Sequence, residues 1–172
     1  MLNLGGSSCA ETPAAVIDTT KSFTAAVWVN ISAVDKHYNQ TMVSIDGNQI
    51  SGFFLMLDAK GGSPRFIFAR RTEDAGASTR KFAEGSFVVT LQTWYHVAGV
   101  YDGDAKTLSL YVNGELQSTT PFETAWQASG KTAIGRGFFN GRNVDFLNGL
   151  ICDVRLYDRV LTAAEIQALA SR

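Results

Sequence analysis

The sequence is short of the features that would place it in several common classes. Two cysteines in 172 residues are too few for a disulfide scaffold, so a hydrophobic core must hold the chain. Charged residues make up 18%, below the usual quarter, which excludes a charge-rich disordered chain or coiled coil. No stretch approaches the roughly 18 consecutive apolar residues of a membrane-spanning helix. The opening MLNLGGSSCAETPAA has neither the basic nor the apolar segment of an export signal, and with no apolar run before it GGSSC reads as a loop cysteine rather than a lipoprotein box. An excess of positive charge is also missing. Fifteen Lys and Arg stand against 16 Asp and Glu, so no nucleic acid and no anionic membrane is expected as a partner.

What the chain has is aromatic residues, with 11 Phe, 5 Tyr and 3 Trp, and 16 glycines. A mass of 18.6 kDa implies roughly 8,200 Å² of folded surface against about 27,000 Å² unfolded, enough burial for one core. Residues 1–172 are therefore read as a single domain. Strand patterns cover Phe23–Asn30, Thr41–Ile45, Gly52–Asp58, Arg65–Arg70, Gly85–Leu91, Trp94–Asp102, Thr107–Val112, Glu115–Thr120, Thr132–Ile134 and Asn148–Tyr157. Their spacing of roughly 8 to 12 residues predicts an all-β sandwich or barrel. Asp46-Gly47, Asp102-Gly103, Asn113-Gly114, Asn140-Gly141 and Asn148-Gly149 supply turn residues that accept positive φ. One helix is expected, at the C-terminal end, where Thr162-Ala163-Ala164-Glu165 forms a capping box ahead of Ile166 and Leu169. Glu73–Lys81 and Pro121–Lys131 read as loops.

Four segments in order, WYHVAGVYDG, TLSLYVNG, TAIGRG and FLNGLICDVRLYDRVLTAAEIQAL, together with SFTAAVWVN upstream, resemble the laminin-G-like, concanavalin A-like jelly roll of secreted, especially bacterial, proteins. The resemblance runs from Ser22 to Leu169. It implies a two-sheet antiparallel β-sandwich (jelly roll) of about six strands per sheet with one short C-terminal helix. One sheet would be curved, with its concave face and rim loops open to a ligand. It also implies a secreted domain cut from a larger protein and acting as a monomer. Alternation along the last strand puts Leu150, Cys152, Val154 and Leu156 on one face and Asp153, Arg155 and Tyr157 on the other. Trp28, Trp94 and Tyr111, flanked by apolar residues, read as core.

Because such jelly rolls bring first and last strands together, the resemblance allows a Cys9–Cys152 disulfide, closing a loop of about 140 residues and constraining the unfolded chain by up to ~5 kcal/mol. Relatives read I-D-D-V-R-I-Y where this chain has ICDVRLY. In laminarinase-type relatives an acidic residue at the position of Cys152 helps hold a structural calcium, so a covalent tie is expected to replace an ionic one. A Ca²⁺ ion through Asp153, Asp18 or backbone carbonyls stays open, since calcium takes about six to eight oxygens with no sharp spacing signature.

Catalysis finds little support. The E-x-D-x-x-E run that sets two carboxylates about 5 Å apart in retaining glycosidases is missing, and Glu115, Glu123 and Glu165 are isolated. Trp94–Gly103 resembles a lyase strand of the form Y-x-K-A-G-x-Y, but Val97 occupies the lysine position. His96 reads as a satisfied, partly buried histidine. HExxH, Cys-x-x-Cys and GxSxG do not occur, and Arg136-Gly137 opens no helix. The expected function is a non-catalytic carbohydrate-binding module. A protein-interaction or adhesion domain is the alternative, and a polysaccharide hydrolase or lyase a more distant one. Sugar recognition needs aromatic plates and polar groups for hydroxyls or carboxylates. The candidate ligand-binding residues are Phe139, Asn140, Arg142 and Asp145 in GRGFFNGRNVDF, Trp126 in its loop, His37 and Tyr38 after the first strong strand, and Arg71. Arg70 and Asp74 join Arg71 in a polar group at a strand end. Asn30-Ile31-Ser32 and Asn39-Gln40-Thr41 match glycosylation triplets.

Overall fold

The computed structural model describes residues 1–59 and 61–171. Among them fourteen strands and one helix follow in chain order. The first half holds β1 (Leu2–Gly5), β2 (Ala10–Glu11), β3 (Phe23–Ile31), β4 (Gln40–Asp46), β5 (Ser51–Asp58), β6 (Arg65–Arg71) and β7 (Arg80–Glu84). The second half holds β8 (Trp94–Asp102), β9 (Thr107–Val112), β10 (Glu115–Pro121), β11 (Thr132–Ile134), β12 (Gly137–Phe139), β13 (Arg142–Val144), β14 (Asn148–Tyr157) and α1 (Ala163–Ala170). Two six-stranded sheets, β1-β14-β3-β8-β9-β10 and β2-β11-β4-β5-β6-β7, face each other, and β12-β13 forms a separate hairpin. Their pairings are antiparallel, so the expected sandwich with a short C-terminal helix is what the chain forms.

Period-2 alternation builds the core between the sheets. Phe23, Val27 and Val29 of β3 and Leu108 and Leu110 of β9 meet Phe53 and Leu55 of β5 and Phe66 and Phe68 of β6, all buried. Phe23, Phe53 and Phe68 form an aromatic block with centroids 4.9 to 5.9 Å apart. Gly99 makes room for it, since a Cβ there would lie 2.3 Å from the Phe68 ring. The outer face of the first sheet carries Ala26, Ala98 and Val100, covered by Leu161, Ile166 and Leu169 at the helix. The predicted capping box is present. Thr162 accepts from the Glu165 amide, and its own amide donates to Glu165 Oε2 at 2.8 Å.

Several expectations are corrected. Gly85–Leu91 alternates like a strand, with Phe87 and Val89 packed on the core and Val88 exposed, yet it crosses the sandwich edge with scattered backbone bonds to Phe66 and Pro64. The strand next to β6 is instead Arg80–Glu84, partly inside the predicted loop. In β14 a bulge at Asp153, whose φ is 49°, shifts the phase, because Cys152 pairs with Trp28 and the next paired residue is Arg155, opposite Ala26. Ile151, Val154 and Leu156 therefore face the core, while Leu150 and Cys152 stand on the outer face with Trp28.

The Cys9–Cys152 disulfide does not form, and both thiols are free. First and last strands do pair, but Leu2 lies opposite Ile151 and β1 runs antiparallel away from Cys152. By Cys9 the chain has turned toward the second sheet, where the thiol faces Glu11 at 3.8 Å. Charge holds β2 in place instead. Arg136, 1% exposed, makes a fork of hydrogen bonds of 2.7 to 2.9 Å to Glu11 on β2 and Asp46 on β4. Burial alone would lower its pKa, but the hydrogen bonds it donates to Asp46 and Glu11 outweigh that and raise it.

Candidate functional site

The second sheet is apolar on both faces, which is why GFFLML and RFIFAR read as unbroken hydrophobic runs. Phe53, Leu55, Phe66 and Phe68 point into the sandwich, and Ile50, Phe54, Met56, Ile67 and Ala69 point out. Helix α1 covers the corresponding face of the first sheet, but here the cover is the β12–β13 hairpin. Its turn is Asn140-Gly141, with φ of 50° and 71°, the geometry that Asn-Gly favours. Phe139 bridges to Ile50, and Gly137 sits so close to Phe54 that a Cβ there would lie 2.9 Å from the ring.

Two adjoining clefts open beside the hairpin. The smaller, about 180 Å³, has Phe54, Met56, Phe139 and Val144 as apolar lining and Asn39, Arg71, Arg80 and Asp145 as polar groups. The larger, about 610 Å³, is lined by Val34, Asp35, Tyr38, Gln40, Asn143 and Phe146 among others, and shares Asn39, Val144 and Asp145 with the first. Backbone bonds fix the shared wall. The Thr41 amide donates to the Asp145 carbonyl at 2.7 Å, the Asn148 amide to Gln40 Oε1 at 2.8 Å, and Gln40 Nε2 to the Ala33 carbonyl at 2.6 Å. Asn39 is 5% exposed, and its Oδ1 has no hydrogen-bond partner. Arg71 lies over the Phe139 ring at 5.3 Å and donates to the Ser78 carbonyl. Burial, then the charge of Arg80, pulls its pKa below the usual arginine value.

Of the predicted site residues the structure brings together Tyr38, Arg71, Phe139 and Asp145. Asn140 and Arg142 stand exposed at the hairpin tip, and His37 is exposed beside Tyr38 with its amide bonded to Asp35. Trp126 lies behind the clefts, packed between both apolar clusters, its indole donating to the Arg71 carbonyl at 2.8 Å. Arg70 points the opposite way from Arg71. It is fully buried, stacked between Tyr101 and Phe122 and bonded to carbonyls of Gly52, Thr19 and Trp126, and burial lowers its pKa to about 10. Asp74 accepts three amides of the β4–β5 turn. Sequence reasoning missed Phe54, Met56 and Arg80. The signal for Phe54 and Met56 was a strand without the usual polar alternation, and Arg80 lay inside the predicted loop.

The two calcium candidates lie on different segments of the chain. Asp18 accepts from Thr20 and pairs with Lys21 just before β3, whereas Asp153 pairs with Arg155 in the middle of β14. Among the described residues no three His, Cys, Asp or Glu side chains group as metal ligands. The expectation that Trp28, Trp94 and Tyr111 are core is also corrected. All three are on the outer face of the first sheet, Tyr111 against the helix cluster, Trp28 half-buried and Trp94 37% exposed. Trp28 and Trp94 line an open hollow of about 340 Å³ with Cys152 and Asp153. His96, on the same face at 5.5 Å from Trp28, is buried but not satisfied, because its Nδ1 has no partner.

Two six-stranded antiparallel sheets closed by β1 against β14, with a ligand-sized cleft outside one of them, define a lectin-like jelly roll. The family model of the concanavalin A-like lectin/glucanases superfamily matches residues 4–167, and the chain belongs to that family. It is 28% identical over 158 residues to the mouse (Mus musculus) pentraxin-related protein PTX3, covering 86% of this chain but only 38% of that relative. Among solved structures it is similar to a heptameric SAP-like pentraxin from Limulus polyphemus, with a TM-score of 0.72, 18% identity, and 98% and 80% of the two chains covered. It is also similar to domain 4 of AbnA, an extracellular arabinanase of Geobacillus stearothermophilus, in complex with arabinotriose, with a TM-score of 0.68, 19% identity, and 98% and 75% covered. Among the described residues no helix is long and apolar enough to cross a membrane.

Proposed function

We propose that the chain is a non-catalytic, extracellular, monomeric carbohydrate-binding domain that holds a polysaccharide in the paired clefts under the β12–β13 hairpin. The observation that carries this reading is the mixed lining. Phe139 and Tyr38 offer aromatic surface to sugar C–H groups, while Arg71, Asn39 and Asp145 contribute polar groups around them. An unpaired buried acceptor such as Asn39 Oδ1 costs about 1–3 kcal/mol, a cost that a sugar hydroxyl would offset. The arabinanase domain, whose structure holds arabinotriose, supports the reading. The non-catalytic part rests on the carboxylates and histidines. Asp35 accepts the His37 amide in its own turn, and the buried His96 belongs to the other sheet.

A second reading, a protein-interaction or adhesion domain, is favoured by the Trp28–Trp94 hollow, an apolar surface on the opposite side of the sandwich. One experiment separates the two. The protein is run through gels containing soluble polysaccharides and applied to a glycan array, with and without a chelator. Wild type is expected to be retarded by at least one polysaccharide, Phe139→Ala to weaken that by about tenfold or more, and Trp94→Ala to change nothing. The chelator is expected to have no effect, because Asp18 is engaged by Thr20 and Lys21 and Asp153 by Arg155. Retardation that survives Phe139→Ala and disappears in Trp94→Ala moves the site to the first sheet. Absence of binding to every glycan overturns the carbohydrate reading.

A further inference from the structure

We infer that the sugar held in this cleft is acidic, its carboxylate or sulfate ester seated between Arg71 and Arg80. The inference rests on reading the cleft as a sugar site and names the class of sugar it takes. Arg71 and Arg80 are direct cross-strand partners at the end of the β6–β7 ladder, so their side chains leave the sheet on the same face, and both line the smaller cleft. Like charges directly opposite each other destabilise a sheet pair. The two arginines are nevertheless held as a pair of plates. Arg71 stacks on Phe139 at 5.3 Å and Arg80 on Phe82 at 4.8 Å, which fixes each guanidinium plane and leaves its N–H edge for hydrogen bonding. Each guanidinium has five N–H donors, and the contacts seen use few of them, Arg71 to the Ser78 carbonyl and Arg80 to Asp58 at 3.3 Å. An anion with two or three oxygens matches both forks and offsets the repulsion between them.

The rest of the lining argues for an acidic sugar over a bare anion. Asn39 Oδ1, in the wall of the same cleft, is a buried acceptor without a partner and calls for a donor. A ligand that presents an anion to the arginines and a hydroxyl to Asn39 meets both needs. The smaller cleft, about 180 Å³, lies below the roughly 300–1,000 Å³ of whole ligand pockets and suits one charged sugar unit. Its continuation past Asn39 and Asp145 into the 610 Å³ cleft gives the neighbouring units a path.

The test compares polygalacturonate and dextran sulfate with neutral galactan and dextran in the same gel-retardation assay, each at low and high salt. At least one acidic polymer is expected to bind about tenfold or more tightly than the neutral ones, and to weaken by about tenfold as salt is raised. The uronate and sulfated arms tell carboxylate from sulfate. Arg80→Gln, at an exposed position, is expected to lose that preference while its thermal unfolding stays that of wild type. Arg71→Lys should recover only part of what Arg71→Gln loses, because a lysine cannot fork. Neutral polymers bound as tightly as acidic ones, or an acidic preference untouched by Arg80→Gln, would overturn the inference and leave the carbohydrate reading standing. If no polymer of either kind binds, both fail.

Discussion

Lowering the pH from 7 to 5 should destabilise this protein chiefly through one residue, His96. Its ring sits on the outer face of β8 against Trp28, 3% exposed, with Nδ1 unpartnered. Burial drives its pKa down to about 4, with Asp153 acting to raise it and Arg155 to lower it. In the unfolded chain the same ring titrates near about 6.5. Between those values the unfolded state takes up a proton that the native state refuses, so stability falls as pH falls through this window. Linkage over a shift of this size gives a loss of about 2 kcal/mol between pH 7 and pH 5, or a urea midpoint lower by about 1 M at the slopes usual for small domains.

The carboxylates with perturbed pKa values act below this window. Hydrogen bonds hold Glu11 low, from Lys131 first and then Arg136, and Arg159 and the Thr162 amide hold Glu165 at about 2. What they contribute is fully present above the usual carboxylate range and is lost only as pH drops through it. Urea melts at pH 7, 6 and 5 on wild type and on His96→Gln read the difference directly. Wild type should lose stability across the series and the variant should stay nearly flat, whatever its starting value. Parallel losses in the two proteins would refute the reasoning, and so would a wild type that holds its midpoint down to pH 5.

Two further outcomes follow from the fold. Gly149→Ala should destabilise by about 1–3 kcal/mol or more, because its Cβ would fall 2.2 Å from the Asn30 carbonyl oxygen, where backbone must move on the β14–β3 seam; chemical denaturation measures this. Thr162→Ala should cost about 1 kcal/mol by removing one half of the capping box, a loss readable as a lower thermal midpoint with the rest of the sandwich unchanged.

The strands were legible where local chemistry decides them. Asn113-Gly114 turns β9 into β10 with φ of 51° and 83°, and Thr162 caps α1, because both outcomes depend on residues adjacent in sequence. Gly85–Leu91 was misread because packing alternation does not require a ladder. Phe87 stacks on Tyr95 at 5.9 Å and Val89 is buried, which gives the segment a strand's pattern while β7 takes the place beside β6. The bulge at Asp153 was invisible for the opposite reason. ICDVRLY has no glycine or proline to mark a break, so strict alternation puts Cys152 on the same face as Val154 and Leu156. The disulfide that the resemblance allowed fails separately, because β1 runs away from Cys152 before Cys9 is reached.

The site was legible by composition and not by direction. GRGFFNGRNVDF announced a polar, aromatic loop, but only the contact of Phe139 with Ile50 and the shared wall at Asn39 and Asp145 show that Phe139 and Asp145 face the cleft while Asn140 and Arg142 face solvent. Arg70 and Arg71 make the same point more sharply. Period 2 requires adjacent arginines to leave the sheet on opposite faces, yet it does not say which one goes inward. The register does. Phe68 and Arg70 share the core-facing side of β6, so Arg70 is buried among Phe23, Tyr101 and Phe122, and Arg71 turns outward beside Arg80. A one-residue slip of β6 would exchange the two, placing a structural cation in the cleft and the cleft's cation in the core. Whatever charge selectivity the domain has thus depends on the same pairing that closes its hydrophobic core.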